Sequence, residues 1–149
     1  LPSDIRSLIE LFIGYDVEFA VCGGHAVAYH GYPRLTMDVD LLILPSEANA
    51  EKVYAALEAF GFGEARIPRD ALMRAGTAIT LGVQPNQVDL LTSMSQTPTR
   101  DVLERAEWGT LSSLRMRFVN RTDLMEAKRQ SGRPKDLADL DELEKLNSQ

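Results

Sequence analysis

Asp38 and Asp40 are the side chains of this sequence whose type and spacing most directly suggest chemistry. They alternate within an apolar run that includes Val39 and continues to Leu44. Removing an ionised carboxylate from water is costly, so two of them in a hydrophobic strand favour a nearby cation. Residues i and i+2 of a strand point to the same face, about 7 Å apart. This geometry suits one or two divalent metal ions bridged by carboxylates.

A pair of glycines, Gly23 and Gly24, stands where a predicted strand ends and a predicted helix begins. A phosphate can approach such a backbone closely, and unpaired N–H groups at the start of a helix favour an anion. The alternative is that the glycines only turn the chain. Arg34 and Thr36 follow with the same strand parity as the two aspartates. The combination is more specific than either part alone.

Composition bounds the class of protein. The chain has 149 residues, 44% of them hydrophobic, which predicts a single domain over residues 1–149 with one core. It has neither an apolar stretch long enough to span a membrane nor a basic N-terminal region followed by an apolar one, so we expect a soluble, cytoplasmic protein with no membrane partner. The single cysteine, Cys22, excludes an internal disulfide and a multi-cysteine zinc site, and its apolar strand favours buried packing.

Charge is distributed unevenly along the chain. The net charge of −6 argues against a protein that coats nucleic acid by bulk electrostatics. Residues 1–65 carry 3 Lys/Arg against 10 Asp/Glu, whereas residues 115–135 carry seven basic residues against two acidic ones. An acidic half that can hold metal therefore accompanies a basic segment that can hold phosphate. A solvated basic surface is the alternative for that segment.

The hydrophobic periodicity predicts an α/β (α+β) protein, with a mixed β-sheet flanked by helices and two helices at the C-terminus. We expect strands over about 17–22, 37–44, 77–83 and 87–92, and a strand pair within 110–119. The predicted helices run from a Ser3 cap to Gly14, over about 25–30, from a Ser46 cap to Gly61, and near 99–106. Residues 61–76 are predicted as loop with one helical turn at 70–74.

The two C-terminal helices are predicted from their boundary residues. The first begins near Thr122 or Asp123, because the spacing of Asp123 and Glu126 resembles a capping box. Gly132 and Pro134 mark the break between the two helices, with Pro134 well placed as a first helical residue.

These motifs together resemble the nucleotidyltransferase superfamily of the DNA polymerase β type. That superfamily combines a glycine turn, an Asp-x-Asp strand and a third carboxylate on a neighbouring strand. The form Arg34-x-Thr36-x-Asp38-x-Asp40 is most similar to the small bacterial branch that includes the AbiEii-like toxins. The resemblance extends to the strand Gln87-Val88-Asp89-Leu90-Leu91, to Lys128 and to the segment Gly132-Arg133-Pro134-Lys135-Asp136.

The resemblance implies a nucleotidyltransferase fold whose third carboxylate is Asp89. Asp38, Asp40 and Asp89 would be catalytic and would hold Mg²⁺ or Mn²⁺. A strand-end aspartate that caps a turn is the alternative for Asp89.

The resemblance also implies a set of nucleotide-binding residues. Gly23, Gly24 and Arg34 would hold phosphate, and Thr36 would support the loop or bind phosphate. Lys128 would lie near the nucleotide, with a surface lysine as the alternative. Asp136 resembles a carboxylate of the same branch, or it caps a helix.

One position departs from the family pattern. His25 stands where the family often has serine after the glycines. It either donates a hydrogen bond to phosphate or packs in the interior, while His30 is expected to be structural. With two histidines and one cysteine, a zinc site or a Cys-His nucleophile has little support.

The implied activity is metal-dependent transfer of a nucleoside monophosphate from a nucleoside triphosphate to a hydroxyl of RNA, protein or a small molecule. A toxin–antitoxin or phage-defence setting, with a cognate toxin or antitoxin partner, follows from the resemblance alone. Two alternatives stay open: a catalytically silent nucleotide-binding or regulatory module of the same fold, and a structural or interaction protein. The presence of all three carboxylates favours the enzyme, because a protein that has lost catalysis has no need of buried charges.

Overall fold

The computed structural model describes residues 1–33, 35–36, 38–62 and 67–147. Within these residues the chain forms six α-helices and a six-stranded mixed sheet, which confirms the predicted class. The helices are α1 (Ser3–Gly14), α2 (Gly23–Tyr29), α3 (Glu47–Phe60), α4 (Thr99–Glu104), α5 (Arg121–Ser131) and α6 (Pro134–Asn147). The strands are β1 (Phe19–Cys22), β2 (Asp38–Ile43), β3 (Ala78–Leu81), β4 (Gln87–Leu91), β5 (Glu107–Leu111) and β6 (Leu114–Phe118).

The strand order in the sheet is β3-β4-β2-β1-β6-β5. β2 lies antiparallel to β1 and parallel to β4, and the outer strands β3 and β5 pair antiparallel with β4 and β6. The register of β2 with β4 sets Asp40 opposite Asp89 and Asp38 opposite Gln87. The sheet therefore places the three predicted carboxylates on two adjacent strands.

The two faces of the sheet have separate cores. Val39 and Leu41 of β2 pack in the core that α1 and α3 complete, whereas Leu42 packs in the core completed by α2, α4, α5 and α6. Because side chains alternate along a strand, Asp38 and Asp40 share the face of Leu42. The aspartates thus lie on the side of the sheet that the C-terminal helices cover.

Four predicted helix boundaries and one predicted turn are confirmed. The Ser46 hydroxyl accepts a hydrogen bond from the Asn49 N–H at 3.1 Å and caps α3, and Gly61 ends that helix with a left-handed φ of 108°. Gly132, with φ 65°, ends α5, and Pro134 is the first residue of α6. A short 3₁₀ turn at Arg69–Met73 matches the turn expected near 70–74.

Three predicted boundaries are wrong. Ser3 lies inside α1, whose first turn has no side-chain cap. α2 begins at Gly23 and so includes both glycines. Asn120 caps α5, accepting from the Asp123 N–H at 2.7 Å, and Asp123 does not cap because its carboxylate receives two hydrogen bonds from Arg105.

Some predictions fall on positions outside the described residues, namely the start of the second strand at Met37 and residues 63–66 of the predicted loop. Among the described residues, no helix is long and apolar enough to cross a membrane.

Candidate active site

Asp38, Asp40 and Asp89, here called the aspartate triad, lie side by side on β2 and β4. The carboxyl groups of Asp40 and Asp89 lie close enough to influence each other's protonation. The pKa of Asp40 is raised to about 6, first by burial and then by the neighbouring Asp89 and Asp38, whose charges repel a second carboxylate. The triad therefore concentrates negative charge in a partly desolvated place, as the sequence predicted.

Uncharged donors hold the other two carboxylates of the triad. Gln84 Nε2 donates to Asp38 Oδ1 at 3.0 Å, and Thr80 Oγ1 donates to Asp89 Oδ1 at 2.7 Å. Gln87 Nε2 lies between them, 3.4 Å from Asp38 Oδ2 and 3.3 Å from Asp89 Oδ1. The sequence analysis missed these partners. Gln87 and Asp89 are two positions apart on β4 and so point to the same face of the sheet, which is the one sequence feature that indicates Gln87. Gln84 reaches the triad from a loop, which the sequence does not indicate.

The glycine pair allows the triad to lie against the first turn of α2. A Cβ at Gly23, whose φ is 64°, would lie 2.0 Å from Asp40 Oδ2. A Cβ at Gly24 would lie 2.8 Å from Thr36 Oγ1. The space beside both glycines is thus taken by Asp40 and Thr36, so a Cβ at either position would force these side chains to shift. A contact between these glycines and phosphate stays a prediction.

The other predicted residues near the glycines have separate places. Thr36 Oγ1 donates to the Asp38 carbonyl at 3.2 Å, which fits support of the loop. Arg34 lies outside the described residues. His25 is half-buried, and burial lowers its pKa, so its imidazole is neutral at pH 7. His30 Nε2 lies 2.8 Å from the Val119 carbonyl, a structural contact as expected.

The triad opens into a cavity of about 280 Å³, called here the carboxylate cavity. Its lining combines the triad with the start of α2 and the junction between α5 and α6. Seven of the predicted site residues meet there: Gly23, Gly24, Asp38, Asp40, Asp89, Lys128 and Asp136. His25 and Thr36 are not among the lining residues, and Leu91, Arg133 and Lys135 complete the lining.

Lys128 forms a buried ion-pair cluster in the wall of this cavity. Its Nζ lies 3.0 Å from Asp136 Oδ1 and 3.1 Å from Asp139 Oδ2, with 11% of the lysine side chain exposed. Lys128 is therefore not a surface lysine. Burial would raise the pKa of Asp136, but hydrogen bonds from Ser131, Lys128 and Arg133 lower it to about 2. The cluster joins α5 to α6 beside the triad.

Arg133 and Lys135 bring positive charge to the carboxylate cavity. The charge of Lys135 lowers the pKa of Asp40, opposing the effects of burial and of the other carboxylates. Sequence analysis placed both residues in the resembling segment without assigning them to the site. The basic excess at 115–135 is the feature that could have identified them.

Of the basic residues in that segment, Lys128, Arg133 and Lys135 line the cavity, whereas the other four do not. Arg115 and Arg117 lie 5.2 Å and 5.7 Å from the ring centroid of Trp108 on β5. Arg121 donates to the Leu143 carbonyl, and Arg129 pairs with Glu126 at 2.6 Å. The first part of the segment therefore belongs to packing and surface pairs rather than to the site.

A larger cavity of about 380 Å³ lies elsewhere, between α1 and the loop 82–86. Its lining is mostly apolar and includes none of the predicted site residues. Because it lacks the convergent charged groups of the carboxylate cavity, we take the smaller cavity as the candidate active site.

No group of three or more His, Cys, Asp or Glu side chains in the described ranges is arranged to hold a metal ion. Asp38 and Asp89 accept hydrogen bonds from Gln84, Gln87 and Thr80 instead. Metal binding by the triad thus stays a prediction, and it requires Asp38 and Asp89 to exchange amide partners for a cation.

No protein-family model matches the chain, and no curated protein sequence matches it. The residues of the carboxylate cavity are therefore the basis on which a function can be assigned.

Proposed function

We propose that this protein is a metal-dependent nucleotidyltransferase related to the DNA polymerase β-like superfamily. It would transfer a nucleoside monophosphate from a nucleoside triphosphate to a hydroxyl acceptor. The observation that carries the proposal is the meeting, in one cavity, of three carboxylates from β2 and β4 with Arg133 and Lys135 from the α5–α6 junction. Carboxylates suit divalent cations, and Arg and Lys side chains suit phosphate.

The donor set of the triad fits Mg²⁺ or Mn²⁺. Both ions prefer oxygen ligands, and Asp38, Asp40 and Asp89 would supply carboxylate oxygens from adjacent positions of two strands. The mutual repulsion that raises the pKa of Asp40 is the kind of unbalanced charge that a cation relieves. When bound, such ions neutralise the charge that develops on the attacking and leaving oxygens during phosphoryl transfer.

The chain's own side chains have defined roles in this proposal. The acceptor oxygen forms a bond to the α-phosphorus while the bond to pyrophosphate breaks, and Asp89 accepts the hydroxyl proton. Thr80 orients Asp89 by donating a hydrogen bond to its Oδ1 at 2.7 Å. Arg133 and Lys135 bind the phosphate oxygens that carry the negative charge.

The charge of Lys128 is already balanced within the protein. Its ammonium pairs with Asp136 and Asp139, so we assign it to holding the α5–α6 junction against the triad rather than to phosphate binding. Asp136 would likewise position Arg133, whose Nε lies 2.8 Å from Asp136 Oδ2. The nucleotide-binding roles expected for Lys128 and Asp136 thus become indirect.

The biological setting follows from the resemblance. The acceptor would be RNA, a protein or a small molecule, in the cytoplasm. A toxin–antitoxin or phage-defence role, with a cognate partner, belongs to the same proposal.

A silent nucleotide-binding or regulatory module of the same fold is the second candidate. The observation that favours it is Gln87, whose amide lies between Asp38 and Asp89 where a cation would otherwise compensate their charge. Mg²⁺-dependent nucleotide binding without transfer would identify this module. If neither nucleotide binding nor transfer is observed, the protein is instead a structural or interaction protein.

Incubation with each α-³²P-labelled nucleoside triphosphate, Mg²⁺ and a cell lysate tests the enzyme. We expect label to be incorporated by the wild type and by Asp16→Asn, a matched change at an exposed aspartate outside the cavity. Asp40→Asn should reduce incorporation by at least about a hundredfold, since even changes around metal ligands cost about 10–100-fold. Full incorporation by Asp40→Asn would exclude the proposed role of the triad.

A further inference from the structure

A second cavity, of about 250 Å³, adjoins the carboxylate cavity. We call it the α5 cavity because Leu124, Ala127 and Lys128 of α5 form one side of it. The two cavities lie side by side and share five lining residues. These are Gly23, Leu91, Lys128, Arg133 and Asp136.

The part of the α5 cavity that is not shared has a different chemistry. Cys22, Met94, Leu124 and Ala127 supply apolar surface, and Ser93 and Ser131 are polar. The cavity therefore offers apolar walls with a few hydrogen-bonding groups, whereas the carboxylate cavity beside it is lined mainly by charged groups.

A nucleoside triphosphate likewise has an apolar part and a charged part. Its base is a flat ring with apolar faces and polar edges, and its phosphates carry the charge. Neither cavity alone, at about 250 Å³ and 280 Å³, reaches the roughly 300 Å³ at which small-molecule sites begin, but the two joined lie within that range. Both the polarity and the size thus match a ligand that extends across the shared residues.

We propose that the α5 cavity binds the base and sugar of the nucleoside triphosphate whose phosphates occupy the carboxylate cavity. This inference rests on the proposed function, which assigns the phosphates. Under this proposal, the nucleoside is recognised by the surface of α5 and by the residues around Met94.

Ala127 is the position that separates the two cavities experimentally. It lies in α5, is half-buried and lines the α5 cavity but not the carboxylate cavity. A larger side chain at position 127 fills the part of the α5 cavity that the base would occupy. It leaves the triad, Arg133 and Lys135 unchanged. Ala127→Trp is therefore the test variant, with Ala127→Leu as a smaller filling change in case the indole disrupts folding. Ala59→Trp, on the exposed surface of α3, is the matched control.

Isothermal titration calorimetry with two kinds of probe, both in Mg²⁺, tests the inference. Inorganic tripolyphosphate has no base or sugar, and the α,β-methylene analogues of the four nucleoside triphosphates are not cleaved at the α-phosphorus. We expect the wild type and Ala59→Trp to bind at least one analogue about tenfold tighter than tripolyphosphate, equivalent to about 1.4 kcal/mol. Ala127→Trp should lose that advantage and bind tripolyphosphate as the wild type does.

The contrary results are distinct. If Ala127→Trp and Ala127→Leu bind the analogue as tightly as the wild type, the base lies elsewhere and the inference is wrong. The same conclusion follows if the wild type binds tripolyphosphate but gains nothing from the base. If no probe binds in Mg²⁺, the proposed function itself fails, and the inference fails with it.

Discussion

Gly23 and Asp40 are packed so closely that a Cβ on residue 23 would lie 2.0 Å from Asp40 Oδ2. Gly23 also has a φ of 64°, a conformation that side chains disfavour. One glycine therefore satisfies two requirements, the turn into α2 and the position of a triad carboxylate. The relationship links a backbone feature of the sequence to the chemistry of the site.

Gly23→Ala should destabilise the protein by at least about 1–2 kcal/mol, the cost of the left-handed conformation alone, and should displace Asp40. Urea unfolding measures the first effect and the transfer assay the second. Gly14→Ala is the matched control, because a Cβ at Gly14 meets nothing within 4 Å. The double variant Gly23→Ala, Asp40→Ala should recover part of the stability. Strictly additive losses would show that the close approach has no energetic consequence.

Lys128→Met should destabilise the protein by up to about 3–5 kcal/mol, because it removes the buried ammonium that Asp136 and Asp139 share, although Arg133 still pairs with Asp136. Lys145→Met is the control, since Lys145 is 69% exposed and pairs with Glu142 at 3.3 Å on the surface. Its expected cost is about 0–1 kcal/mol. Equal free energies of unfolding for the two variants would contradict the structural role given to Lys128.

The depressed pKa of Asp136 predicts an acid-sensitive contribution to stability. Its folded pKa of about 2 lies below its ordinary value of 3.8, so the folded state favours the ionised form. The contribution is complete above pH 4 and is lost as the pH falls from about 4 towards about 2. Asp136→Asn should lower stability at pH 6 and flatten its dependence on pH in this window, as measured by urea unfolding. An unchanged slope in the variant would show that Asp136 does not carry this dependence.

Asn120→Ala should cost about 1 kcal/mol, the usual value of an N-cap side chain, because the Asn120 side chain accepts the Asp123 N–H of α5. Ser3→Ala should change stability by less than about 0.5 kcal/mol, since Ser3 makes no cap of α1. Thermal unfolding of both variants checks the pair. A larger loss of stability in Ser3→Ala would indicate that Ser3 does cap α1, as the sequence predicted.

Two other predicted caps, Ser46 and Asp123, show where a sequence pattern predicts a cap correctly and where it does not. Ser46 was predicted correctly because an N-cap is a local contact between residues three apart. Asp123 was predicted wrongly because Arg105, eighteen positions away in sequence, takes its carboxylate. Whether Asp123 caps α5 or pairs with Arg105 depends on tertiary structure. The spacing of Asp123 and Glu126 therefore cannot predict it.

The same distinction holds at the site. The shared face of Asp38 and Asp40 follows from strand alternation, and the match with a third carboxylate on Asp89 came from family resemblance. The pairing of Asp40 with Asp89 depends on the register of β2 and β4, which only the fold defines. The contact of Gln84 with Asp38 joins residues 46 positions apart, and that of Lys128 with Asp139 depends on how α5 packs against α6, so no spacing in the sequence indicates either.

The central claim is that Asp38, Asp40 and Asp89 act as one catalytic unit. The most direct test is Mg²⁺-dependent transfer of ³²P-labelled nucleoside monophosphate by the three single aspartate-to-asparagine variants and by the triple variant. Residues that act as a unit give losses that do not add. The account predicts that each single variant falls to the same background as the triple variant, while Asp16→Asn keeps wild-type transfer. Small losses that add from one variant to the next, or full activity in any one of the three, would contradict it.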